Sequence, residues 1–150
     1  MHRSEKEMSI KFEKFIKKEF GNSYFKEYQG LFGRPDFIIY DKKPSSTSTI
    51  SFELKLRNWK RAAIQAFRYR SFSDVSYVVL SKAEINSKEF STNHFKKYNI
   101  GLAEFDKNCN FRVIHKPITQ EPYSEELKLK LHAAVGKSRK RAKNLDQLFA

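Results

Sequence analysis

The chain has 150 residues, 39% of them hydrophobic with 14 Phe and 7 Tyr, which is material for one sizeable core and too apolar for a disordered tail. Thirty Lys and Arg against 17 Asp and Glu leave a formal net charge of +13, so a polyanion, either nucleic acid or an acidic membrane surface, is the expected partner. The single Cys109 excludes a disulfide framework, and the absence of metal-type Cys and His spacing fits a reducing, cytoplasmic setting without a signal core or membrane span.

Ser4 and Glu7 fit a capping box, after which Met8, Phe12, Phe15, Ile16 and Phe20 recur at helical spacing and define an amphipathic first helix. Gly21 and Asn22 stop it. Residues 23–28 read as a short strand, residues 30–33 as a turn and residues 37–40 as a strand. Pro44 and several hydroxyl residues suggest a loop over 41–48, returning the chain into a strand over 49–56 that forms a hairpin with the preceding one.

Residues 58–69 carry a helical pattern, with Trp59, Ala62, Ala63, Ala66 and Phe67 on one side and a basic opposite side. Residues 75–80 form a buried strand, 87–98 a helix, and 100–105 and 111–115 two further strands joined through Lys107, Asn108, Cys109 and Asn110. From Ser124 onward the pattern predicts helix, ending in the basic run at 137–143. The resulting order predicts an α/β fold, a mixed central sheet flanked by helices.

The informative residues are Arg34, Pro35 and Asp36 at the start of one strand and Glu53, Leu54 and Lys55 within the next, with Asp36 and Glu53 seventeen positions apart. Residues i and i+2 of a strand share a face, so Glu53 and Lys55 project together while Leu54 turns to the core. If Tyr40 pairs with Thr49, counting back places Asp36 opposite Glu53 on that face; a slip of one residue would separate them. Two converging carboxylates offer hard oxygen ligands for Mg2+ or Mn2+, and a neighbouring ammonium can stabilise charge developing on a phosphorane, the requirements of phosphodiester hydrolysis. The competing reading is an exposed edge-strand face with Asp36 as a turn residue.

This set, a Pro-Asp followed by Glu-x-Lys on the next strand, resembles the PD-(D/E)XK nuclease superfamily, and the match spans about residues 4–80 with the surrounding elements in agreement. The resemblance implies a restriction-endonuclease-like core over residues 1–122 with a basic helical extension over 123–150. It further implies Asp36 and Glu53 as metal ligands together with the Leu54 carbonyl, and Lys55 as the catalytic lysine. Gln65 and Tyr69, four apart, match the Gln-x-x-x-Tyr motif of one branch of the superfamily and fall at about 240° and 280° when Trp59 is zero, at the margin of the apolar stripe. Relatives also carry a ligating Glu on the first helix, but Glu5, Glu7, Glu13 and Glu19 are all available here.

Arg57, Lys60, Arg61, Arg68 and Arg70 beside this set suit a phosphate track. The expected function is therefore a Mg2+-dependent or Mn2+-dependent deoxyribonuclease, in a repair, recombination, restriction or phage setting and with a homodimer as one possible state. The alternative is a non-catalytic nucleic-acid-binding module on the same fold. A membrane-surface protein would require the Phe face of the first helix to be free of the core. The scattered His residues give no zinc or Ser-His arrangement, and Gly136-Lys137-Ser138 lacks the first glycine and the strand-to-loop setting of a phosphate-binding loop.

Overall fold

The computed structural model describes residues 2–150. Six strands, β1 (Tyr24–Lys26), β2 (Phe37–Lys43), β3 (Ser46–Lys55), β4 (Val75–Leu80), β5 (Gly101–Phe105) and β6 (Phe111–His115), lie in sequential order in one sheet. The β3/β4 and β4/β5 pairs are parallel and the other three antiparallel. Parallel neighbours need a crossover, supplied by helix α2 (Trp59–Tyr69) between β3 and β4 and by α3 (Lys82–Ile85) and α4 (Thr92–Tyr98) between β4 and β5. Helices α1 (Glu5–Glu19) and α5 (Glu125–Gly136) open and follow the sheet. The fold is α/β, a mixed sheet flanked by helices.

Strand alternation sorts the core into two layers. Phe37, Ile39, Phe52, Leu54, Tyr77 and Val79 face α1, whose Met8, Phe12, Ile16 and Phe20 are fully buried against them. Phe12 alone meets the rings of Phe37, Phe52 and Phe105, and burying such a side chain stabilises by about 1.5–3 kcal/mol. The Phe face of α1 is thus spent on the core. On the other face, Ile38 and Tyr40 pack with Tyr69, Leu131 and Val135, while Val78, Leu80 and Leu102 pack with Trp59, Ala62, Ala66 and Phe95. Because β4 is covered on both sides, it reads as a continuous apolar run rather than an alternating one.

Several expected boundaries shift. The 41–48 loop is instead the tip of the β2–β3 hairpin, with pairs from Asp41↔Ser48 to Lys43↔Ser46 closed by the two residues Pro44 and Ser45; Thr47 and Thr49 are β-branched and suit a strand. The helix expected over 87–98 begins only at Thr92, as α4, and a short α3 outside that range, capped by Ser81 through Glu84 N–H, precedes it. Phe67, expected on the buried stripe of α2, is 38% exposed, and Tyr69 takes that place at 1%.

Helix α5, capped by Ser124, stops at Gly136 instead of running through the basic cluster. Five cations within residues 137–143 would repel along a helix, and an extended path lets Leu145 and Leu148 reach the α1-side core. Lys143 N–H donates to the Phe20 carbonyl at 2.8 Å and Tyr77 hydroxyl to the Leu148 carbonyl at 2.7 Å. Gly21 permits this crossing: it sits at φ +94°, and a Cβ there would lie 3.0 Å from the Arg141 carbonyl oxygen.

Candidate active site

The site stands where β2 begins and β3 ends. The register is Phe37↔Phe52 and Tyr40↔Thr49, so Asp36, the residue immediately before β2, falls opposite Glu53. Its backbone is pinned on both sides: Asp36 N–H donates to the Phe52 carbonyl and Glu27 N–H to the Asp36 carbonyl, each at 3.0 Å. Pairing on both flanks fixes the register against the slip that would turn Asp36 to the other face.

One oxygen of each carboxylate is held by the protein. Asp36 Oδ2 accepts from Leu54 N–H at 2.7 Å. Glu53 Oε1 lies 2.6 Å from the Tyr69 hydroxyl, which also stands 3.1 Å from the Arg34 carbonyl oxygen; with a single proton to give, Tyr69 gives it to the nearer and more basic acceptor. Among the described residues no donor engages Asp36 Oδ1 or Glu53 Oε2. Leu54 itself turns its side chain into the core, 3% exposed.

Burial raises both acids above the ordinary carboxylate range. For Glu53, which is 5% exposed, the Asp36 charge adds to the burial, while the Tyr69 hydrogen bond and Lys55 oppose it. For Asp36 the Leu54 N–H and Lys55 oppose burial, and Glu5 and Glu27 reinforce it. Tyr69 is raised as well, by burial and by the Glu53 charge, and therefore remains a donor. Two desolvated, mutually repelling carboxylates gain from a cation placed between them.

Lys55 projects on the Glu53 side of β3, and its Nζ lies 3.8 Å from Glu5 Oε2. The structure thereby separates the four glutamates of α1. Glu5 joins the site, Glu7 accepts from Arg3 N–H and pairs with Lys11, Glu13 accepts from Tyr24 hydroxyl and pairs with Lys26, and Glu19 is exposed. Nothing in the spacing distinguishes Glu5; only its place in the first turn, set by the Ser4 cap, brings it to the end of β3. Glu27, at the end of β1 with φ 52°, also borders the groove beside Asp36, and sequence reading missed it.

Gln65 and Tyr69 share the face of α2 turned toward β3. Gln65 is half-buried and its Oε1 is enclosed without a hydrogen-bond partner, one helical turn before Tyr69. Tyr69 is seated by the turn at Gly33, where φ is +78° and a Cβ would stand 2.9 Å from Tyr69 Cε1. Arg57, Lys60, Arg61 and Arg68 are all exposed along the turn and outer face of α2. Arg70 is not part of that track: it is 6% exposed and donates to the Tyr98 carbonyl and to Gln120 Oε1. The basic run at 137–143 lies away from the acids, since Lys42 reaches the Gly136 carbonyl from the far end of β2, about 20 Å along the strand.

The donor set fits a hard divalent cation in its chemistry, with two carboxylates each offering an oxygen free of protein donors. The side-chain set stops at those two: among the described residues no three His, Cys, Asp or Glu side chains converge as a metal-holding group. Also among them, no helix is long and apolar enough to cross a membrane. Comparison of the chain with protein-family models, curated proteins and solved structures gave no match.

Proposed function

We propose that this protein is a divalent-metal-dependent nuclease with a restriction-endonuclease-like core, acting on DNA. The observation that carries the reading is the half-buried Asp36 and the buried Glu53 facing each other across β2 and β3 beside Lys55. Protonated or charged, a facing carboxylate pair in a protein of net charge +13 gives a phosphate backbone no attraction unless a cation lies between the acids, so a pure binding protein gains nothing from them.

In this reading Asp36, Glu53 and the Leu54 carbonyl would hold Mg2+ or Mn2+, which would supply Lewis acidity toward a phosphate oxygen and a more acidic water. Leu54 N–H and Tyr69 hydroxyl orient the two carboxylates, leaving one oxygen of each available. Lys55 stabilises charge developing on the phosphorane, and Glu5 keeps its ammonium at the mouth of the site. Gln65, one helical turn before Tyr69, would help position the strand. Arg57, Lys60, Arg61 and Arg68 position the backbone.

The lack of a third converging side-chain ligand favours a second reading, a nucleic-acid-binding module without catalysis. Incubating the protein with labelled DNA and RNA, with and without Mg2+ or Mn2+, separates the two. Cleavage that depends on the metal supports the nuclease; binding without any cleavage supports the module.

A further inference from the structure

Beyond the acidic site, α2 presents a second surface. Its helix carries Lys60, Arg61 and Arg68 and no acid, and α4 carries Lys96 and Lys97 and no acid. Between them runs a groove of about 260 Å³ lined by Ala63, Ile64, Phe67, Arg68, His94 and Tyr98. Its large apolar side chains face solvent: Ile64 is 55% exposed, Phe67 38% and Tyr98 37%.

The rings are held in place. Phe67 meets Tyr98 edge-on with centroids 5.7 Å apart, and Tyr123 lies 5.7 Å from Phe67 on its other flank. The buried Arg70 guanidinium backs Tyr123 at 4.8 Å and Phe67 at 5.6 Å while donating to the Tyr98 carbonyl at 2.9 Å. A charge buried to rivet exposed rings makes a rigid aromatic platform rather than a loose surface patch.

The platform connects with the acidic site around the outside of α2. Taken by helical angle, the path runs from Gln65, beside the buried Tyr69, through the exposed Arg61 and Arg68 to Ile64 and then Phe67, a little under half a turn on a cylinder about 10–12 Å across, or on the order of 15 Å. Arg68 marks its middle, with its guanidinium 5.5 Å from the ring of Phe32, itself 49% exposed in the turn that precedes Arg34. The exposed cations Arg61 and Arg68 stand on this path with the exposed rings of Phe32 and Phe67, the composition that binds a single strand through its phosphates and its bases at once.

The geometry points to the α2–α4 groove as a stacking site for unpaired nucleotides of the strand whose backbone passes Asp36 and Glu53. This rests on the nucleic-acid reading above and specifies its substrate class: DNA with a single-stranded segment, such as an end or flap, because paired bases have no free ring face to offer. A second copy of the chain suits the groove less well, as two acid-free basic helices would face each other.

Fluorescence anisotropy in EDTA tests the groove without any dependence on metal or cleavage. The probes are a labelled single-stranded oligonucleotide and one of equal length and charge lacking its bases. Wild type should bind the base-bearing strand about tenfold or more tightly than the abasic one. Phe67→Leu, which keeps the apolar bulk, and Tyr98→Ala should each erase most of that preference with thermal unfolding unchanged. Phe67→Trp should retain it and show fluorescence quenching on binding. Equal affinity for the two strands, an unaltered preference in both variants, or a dimer dissolved by the same substitutions would overturn the proposal. If the protein cleaves nothing but keeps the preference, the nuclease reading falls and the groove stands; cleavage without the preference gives the reverse.

Discussion

Asp36 and Glu53 face each other from adjacent strands, each tied by a single oxygen, Asp36 to Leu54 N–H at 2.7 Å and Glu53 to the Tyr69 hydroxyl at 2.6 Å. Each anchor stabilises the charged form of its acid, while burial and mutual repulsion disfavour it. In the proposed nuclease, protons and a divalent cation would therefore compete for the pair.

Stability of the metal-free protein should fall as pH rises. An acid whose pKa is raised on folding binds more protons in the folded state, so its contribution declines from the ordinary carboxylate value, about 4, up to the folded value, about 8 for Glu53. Denaturant titration at pH 5 and pH 8 should show the loss, and saturating Mg2+ or Mn2+ should restore stability at pH 8. Glu53→Gln and Asp36→Asn should raise the metal-free stability at pH 8, on the order of 1–2 kcal/mol, and remove the response to metal. Because His2, His94 and His115, lowered by burial, contribute in the opposite sense, the comparison is with Glu53→Gln: the same pH dependence in wild type and variant would show that the acids do not confront each other as described.

Removing the Tyr69 hydroxyl should be felt at Glu53. Tyr69→Phe leaves Glu53 Oε1 without its donor, raises that acid further and should cost about 1–2 kcal/mol, with weaker metal binding by calorimetry at neutral pH. Gly33→Ala should act on the same ring from outside, since its Cβ would meet Tyr69 Cε1 at 2.9 Å in a left-handed backbone; a cost of order 1–3 kcal/mol follows. If Tyr69→Phe binds metal like wild type, the hydroxyl is not an orienting group.

The hairpin was legible in the apolar run of residues 37–40 followed by the alternating strand of 49–56, whereas its register entered only as a condition, Tyr40 opposite Thr49, which the structure meets and which brings Asp36 to Glu53. The α/β class followed from the order of helical and strand patterns, and the span of β4 from its short, continuous and mostly apolar run. The choice of Glu5 was not legible, because all four glutamates of α1 sit on a lysine-rich surface and only the tertiary meeting of the helix start with the end of β3 selects one. Nor was the burial of Arg70, whose partners, Tyr98 and Gln120, are 28 and 50 residues away in sequence. The tail misread as helix carries helix-forming lysines and arginines, but burial of Leu145 and Leu148 against the α1 side outweighs that local preference.

DNA binding should weaken steeply with salt, each neutralised phosphate contributing about 0.9 to the log-log slope on duplex and about 0.7 on single strands. Replacing Arg57, Lys60, Arg61 and Arg68 together by Ala should flatten that slope, whereas neutralising the 137–143 cluster, about 20 Å along β2 from the acids, should leave the cleavage position unchanged. An unaltered slope in the quadruple variant would place the phosphate track elsewhere.

The most direct measurement is cleavage of labelled DNA carrying a single-stranded segment, in Mg2+ and in EDTA, by wild type, Glu53→Gln and Lys55→Ala, with metal binding followed by calorimetry. Wild type should cut only with the metal. Glu53→Gln should lose both metal binding and cleavage, and Lys55→Ala should keep metal and DNA binding while losing about 3 kcal/mol of transition-state stabilisation, roughly a hundredfold or more in rate. Wild-type protein that binds no divalent ion and cuts nothing would contradict the nuclease, and full activity in Lys55→Ala would contradict the role given to that lysine.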